Sequence, residues 1–140
     1  MREIFEGSSD CVVRVKATRK DTSVDKTSRV LKMGSGFLVS KEGHILTTGL
    51  LRNADQIWIE HQHVFYLAQL IGHDYLCNVS MLKVMDAKRE FPFLSVADRA
   101  EEIGPGAILV GLTFALEFNV GPTFGLMQSE EISFGTNLFP

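Results

Sequence analysis

The segment GSGFLVSKEGHILTTGLLRNAD, residues 34–55, decides how the chain is read. Small residues open a strand, Lys41-Glu42-Gly43 makes a turn in which Gly43 takes a positive φ, and HILTT (44–48) returns as the partner strand. A loop follows, with Thr48, Gly49, Leu50 and Leu51 at its tip, none of them chemically reactive. GSG at 34–36 is no phosphate loop, because no Gly-Lys-Ser/Thr follows. It is no nucleophile elbow either, because the chain stays extended. Small residues inside a strand point instead to close approach by another piece of backbone.

Outward from this hairpin the dominant period is two. CVVRVKATR (11–19) alternates in part and reads as a half-buried strand, and DTSVDKTS (21–28) as a flexible loop. Residues 29–40, 44–48, 56–61, 64–72, 78–84, 107–112 and 120–129 are the further strands, with a hairpin across Gln62 and His63. DAKREFPF (86–93) is a connection, where Pro92 argues against a central strand. Residues 97–106 have room for one helical turn before Gly104 and Pro105. About eight short strands with no long amphipathic helix imply an all-β barrel or sandwich.

The 140 residues are 45% hydrophobic, enough for one domain with its own core. A net charge of −3 gives no footprint for nucleic acid or an anionic membrane. The cations Arg14, Lys16, Arg19, Lys20, Lys26, Arg29 and Lys32 crowd the N-terminal third, as expected of a solvated strand face and loop. No membrane span and no signal peptide are visible, although Met1 can begin a piece cut from a longer precursor. Cys11 and Cys77 fit no metal motif; a single bridge between them stays open, and burial as small hydrophobes is the expectation.

The polar candidates are few. His61 and His63 stand at i and i+2, which on one strand face would offer a metal two imidazoles, with His73 the nearest third ligand. A solvated hairpin turn is the commoner setting for such a pair, and neither a metal nor any other cofactor is expected. His44 beside a turn reads as polar surface. Asp10, Glu60 and Asp74 are scattered, with no pairing for acid–base work.

Four motifs in order resemble the HtrA/Do (DegP-like) branch of the trypsin-like serine proteases. GSGFLVSKEGHILTTGLLRNAD is similar to that branch's G-S-G-F…T-N-x-H-V hairpin, and CVVRVKA to its first strand, which follows a short helical stretch like IFEGSSD. LIGHDYLCNVSMLKV resembles G-x-D-x-x-T-D-[LI]-A-[VL]-L-K, and IGPGAILVGLTFALEFNVGPTFGLMQS resembles a later strand pair ending T-x-G-I-V-S. The similarity runs from about residue 5 to about residue 130.

This resemblance implies a trypsin-like double β-barrel. Residues 5–95 would form the N-terminal barrel, complete, and 104–140 the opening strands of a C-terminal barrel only partly present. It also places Leu50 where the family has its catalytic histidine and Asn78 where it has its aspartate. The family's G-N-S-G-G-P serine stretch is not met before Pro140. Leucine accepts no proton and asparagine carries no charge, so the implied catalytic set is none. In a serine protease, losing the serine or histidine alone costs about 10⁶-fold in rate.

The expected function is therefore an inactive protease homologue, a scaffold binding protein or peptide. Its own C-terminal fragment or a second copy would cover the apolar opening strands. The alternative is a processed part of an active endopeptidase whose serine lies beyond this chain, with His44 or His73 as an unorthodox base. A third reading, a barrel binding metal or ligand through His61 and His63, ranks last. The resemblance implies a periplasmic or exported protein if a signal sequence was removed, and PDZ modules often follow in the family.

Overall fold

A computed structural model describes residues 2–20, 28–49, 51, 53–98, 103–114 and 119–129. A short helix α1 (Arg2–Ser8) and a single 3-10 turn (Ser9–Cys11) lead into eight strands. These are β1 (Val12–Lys20), β2 (Ser28–Leu38), β3 (His44–Thr48), β4 (Gln56–His61), β5 (Val64–Asp74), β6 (Val79–Val84), β7 (Ile108–Phe114) and β8 (Val120–Leu126). The first six close into a barrel in the order β1-β2-β3-β6-β5-β4, and β7 and β8 form a separate two-stranded sheet. The all-β reading and the eight strands hold, and α1 occupies the expected leading helix. Most of the 21–28 loop, Leu50, residues 99–102 of the expected helical turn and the tail from 130 lie outside the described residues.

Alternation writes the barrel interior. Val13 and Val15 on β1, Leu38 on β2, Ile45 on β3, Ile59 on β4, and Leu82 and Val84 on β6 are all at most 3% exposed. Each such side chain contributes about 1.5–3 kcal/mol, whereas an exposed ion pair such as Arg2–Glu6 contributes about 0–1. Aliphatic burial therefore decides the fold. Phe91, from the Pro92 connection, also enters the core, and its N–H donates to the Lys41 carbonyl at 2.9 Å.

β1 is more buried than alternation alone predicts, because both of its faces are covered. Val13, Val15 and Ala17 face the interior. On the outer face Arg14 is buried as well, pairing with Glu60 of β4 at 2.6 Å, with its guanidinium 4.7 Å from the Phe114 ring centroid on β7. The same β7 residue is tied to β2: the Phe114 N–H donates to the Ser35 hydroxyl at 2.8 Å.

The close approach expected at GSG is found at Gly36 and not at Gly34. A Cβ on Gly36 would lie 2.9 Å from both Ile45 Cγ2 and the Leu46 carbonyl oxygen, while one on Gly34 would meet nothing within 4 Å. The turn before β3 forms as read, with Gly43 at φ 94°.

The expected hairpin across Gln62 and His63 forms; what is corrected is the solvated setting expected for His61 and the burial expected for Cys77. Gln62 and His63 take φ values of 50° and 65° as the two turn residues, so the strand alternation ends at His61 and the two imidazoles do not share a face. His61 points inward and is fully buried. Its Nε2 lies 2.7 Å from the Asp10 carbonyl and so donates to it, leaving Nδ1 unpartnered beside Phe91. Among the described residues no group of three or more His, Cys, Asp or Glu could hold a metal. Cys77 is exposed, because it sits in the turn between β5 and β6; Cys11 is buried, and both thiols are free.

Gly36→Ala is expected to destabilise the fold by about 1–3 kcal/mol through overpacking, and Gly34→Ala to change it by less than about 0.5; urea midpoints of the two variants check this contrast. Burial lowers the pKa of His61 from its ordinary 6.5, against the opposing pull of the Asp10 carbonyl. The unfolded chain thus binds a proton that the folded chain refuses, so stability present above pH 6.5 is lost as pH falls below it. Thermal midpoints are expected to drop on acidification below that value, and His61→Gln to flatten that part of the profile.

Candidate functional site

The end of β3 meets the start of β6 at one mouth of the barrel. Thr47 pairs with Ser80 and Thr48 with Val79. One residue further, the Gly49 N–H donates to the Asn78 carbonyl at 3.0 Å. Both residues are left-handed, Gly49 at φ 96° and Asn78 at φ 55°, a conformation that glycine and asparagine accept readily. Asn78 and Gly49, the neighbour of Leu50, are thereby brought together. Leu50 itself lies outside the described residues; Leu51 beyond it packs into the core.

The polar groups around this contact have assignable roles. Asp74 Oδ1 accepts the N–H groups of Leu76 at 2.8 Å and Cys77 at 3.2 Å, so this carboxylate builds the turn that delivers Asn78. Ser80 is fully buried, and its hydroxyl donates to the Gly49 carbonyl at 2.6 Å. His73 Nδ1 lies 2.8 Å from the same hydroxyl oxygen. A hydroxyl has one proton, and it is directed at Gly49, so His73 donates through Nδ1–H. His73 therefore steadies Ser80 and cannot take its proton. Its ring stands edge-on to Tyr75, 4.7 Å between centroids.

The other histidines are elsewhere. His44 begins β3, and four strand steps put it roughly 13 Å from Thr48; its Nδ1 lies 2.6 Å from the Ser40 hydroxyl. His61 is committed to Asp10 inside the barrel. Among the described residues no hydrogen bond joins an imidazole to a carboxylate.

A cation stands at this mouth. Lys32 Nζ donates to the Thr48 carbonyl at 2.6 Å, and a Cβ at residue 49 would overlap this ammonium. Gly49 is favoured by its positive φ, while the end of the Lys32 side chain could move aside for a Cβ. Thr48 also lines an open groove of about 650 Å³ between the outer face of β2, β3 and β6 and strand β7. Phe37, Leu46, Val79, Leu112 and Phe114 make its apolar walls. The roles of Lys32 and Ser80 are missing from the sequence reading. Lys32 is one of seven clustered cations, and Ser80 becomes visible only as a hydroxyl at an inward position of β6.

Known proteins share this sequence in part. A probable periplasmic serine endoprotease, DegP-like, from Hahella chejuensis is 33% identical over 100 residues, 69% of this chain and 20% of that protein. A protein of the same description from Rickettsia prowazekii is 28% identical over 127 residues, 87% of this chain and 24% of its own length. Serine protease HTRA1 from Xenopus laevis is 32% identical over 102 residues, 70% of this chain and 21% of that protein. The chain thus spans about a fifth to a quarter of the length of these relatives. No family model matches it.

A closed six-stranded barrel followed by a strand pair is a trypsin-like double barrel present in part. Together with these relatives and the four ordered motifs, it settles the ancestry: the chain belongs to the HtrA/DegP-like branch of the trypsin-like serine protease family.

Proposed function

We propose that this chain is a trypsin-like domain that has lost hydrolysis and serves as a protein- or peptide-binding scaffold. The hydrogen bond from Gly49 N–H to the Asn78 carbonyl, 3.0 Å long, carries the reading. It supports placing positions 50 and 78 at one mouth, as the family's histidine and aspartate require, and in this sequence they hold leucine and asparagine. Neither can move a proton or stabilise an imidazolium. The immobilised proton of His73 is further support. On this reading residues 5–95 are the first barrel, and 104–140 open the second.

The competing reading is a processed part of an active endopeptidase whose nucleophile lies beyond this chain. The greater length of the relatives, and their descriptions as serine endoproteases, favour it. It needs a base, and His44 and His73 are the candidates: the first stands at the far end of β3, the second donates to Ser80.

A fluorophosphonate probe applied to the complete gene product is expected to leave it unlabelled. Clean labelling of one serine would overturn the scaffold reading. Exposed Ile108, Phe124 and Leu126 on the β7–β8 sheet support a cover by a second copy or by further chain of the same protein. Sedimentation of the purified chain is expected to give a species heavier than the monomer unless that further chain is present; a monomer without it would remove the idea.

A further inference from the structure

The leading arm, residues 2–11, is held on the barrel by little. Helix α1 buries none of its residues, and its Ile4 is exposed. Cys11, at the end of the 3-10 turn, is the first side chain of the arm to be buried. Among the described residues one hydrogen bond joins residues 2–10 to the barrel, from His61 Nε2 to the Asp10 carbonyl at 2.7 Å.

That bond depends on a neutral imidazole. The ring gives its single N–H to Asp10, and Nδ1 has no hydrogen-bond partner. A proton on Nδ1 would be a donor without an acceptor, carrying a charge into a fully buried position. Two charged groups face the ring. The Asp10 carboxylate on the 3-10 turn favours a cation there, and Arg89 on the connection after β6 opposes one. The Arg89 guanidinium lies 4.8 Å from the centroid of Phe91, the ring set at 67° to His61 with 5.7 Å between centroids, so this aromatic neighbour already holds a cation. Cys11 stays a neutral thiol, because burial pushes its pKa up, and Tyr66 of β5 accepts from Arg89. Glu60, next to His61 on β4, is paired with Arg14 on the outer face. The residues Val13, Leu38, Ile45 and Val84, turned inward by β1, β2, β3 and β6, carry no charge.

The ring reaches water through the arm, since Asp10 is exposed and its carbonyl caps Nε2. Lifting the 3-10 turn hydrates the imidazole, which then takes up a proton as an ordinary histidine does. We infer that the contact between His61 and the Asp10 carbonyl is an acid-released latch, holding the arm on the barrel at neutral pH and freeing it in mild acid so that Cys11 is uncovered. The release is local, because the six-stranded ring keeps its own ladders and aliphatic core. It operates whether or not the chain hydrolyses peptides.

The test labels the whole chain with dithiodipyridine, a thiol reagent that works in acid, and reads each cysteine by peptide mass. Exposed Cys77 serves as the reference that cancels the reagent's own pH dependence. The ratio of Cys11 to Cys77 labelling rates is expected to rise about tenfold from about pH 7.5 to about pH 5.5, because the open arm binds a proton that the closed arm refuses. His61→Gln keeps an N–H for Asp10 and cannot titrate, so its ratio is expected to stay flat. A flat ratio in the wild-type chain would overturn the latch. An equal rise in His61→Gln would place the trigger elsewhere and overturn it as well. Hydrogen exchange of the wild-type chain needs no variant: amides of residues 8–12 are expected to lose protection on acidification while those of β6 keep theirs. Loss of protection in β6 over the same pH range would mean that the whole barrel opens, and would overturn a local release.

Discussion

A six-stranded barrel closes only if every strand pairs along both of its edges, and here the pairing that completes the ring is made by β1. This strand runs antiparallel to β2 through nine register pairs and to β4 through five. Closure brings Ile45, the Leu46 carbonyl and Val15 around position 36, where only glycine leaves enough room. It also decides what happens to the outer face of β1. Arg14 lies opposite Glu60 because β1 and β4 are in register, and the ion pair is then roofed by Phe114. A buried pair of this kind adds little to stability on its own, since desolvation offsets its attraction. It does make the position intolerant of losing one partner, and it links barrel and second sheet through the same residue that Ser35 holds.

The mouth is a consequence of that closure. Once β3 and β6 pair up to Thr48 and Val79, the next residues on each strand must face one another, and Gly49 and Asn78 do so. Their juxtaposition therefore comes from sheet geometry and not from any attraction between side chains. The core that supports it is aliphatic, and each inward residue outweighs the roughly 1 kcal/mol net of a typical hydrogen bond at the mouth. Such a barrel can keep its shape while the residues at its mouth change, because they contribute little to what holds it closed.

Much of this architecture was legible in the sequence. Alternation and turn residues located all eight strands, Gly43 marked its turn, and four ordered motifs pointed to the family fold. What escaped depended on partners distant in sequence. β1 looked half-buried because nothing in CVVRVKATR announces that Glu60 and Phe114 will cover Arg14. The hairpin across Gln62 and His63 was legible, but the burial of His61 was not, because its partners Asp10 and Phe91 are distant in sequence. Phe91 looked like part of a connection, yet it closes the core from a segment with no regular structure. At the mouth, the contact between 49 and 78 could be inferred only through the resemblance, and the placing of Lys32 could not be inferred at all.

The electrostatics of that mouth bear on what it could ever catalyse. General-base hydrolysis puts a positive charge on an imidazole while the nucleophile attacks, and an adjacent carboxylate normally stabilises that charge. Here the described carboxylate nearest in sequence, Asp74, is committed to two backbone N–H groups. Asn78 has no charge to offer, and Lys32 already brings a positive one to Gly49. Among the described residues, an imidazolium formed here would meet an ammonium and no uncommitted carboxylate, so its formation would be disfavoured.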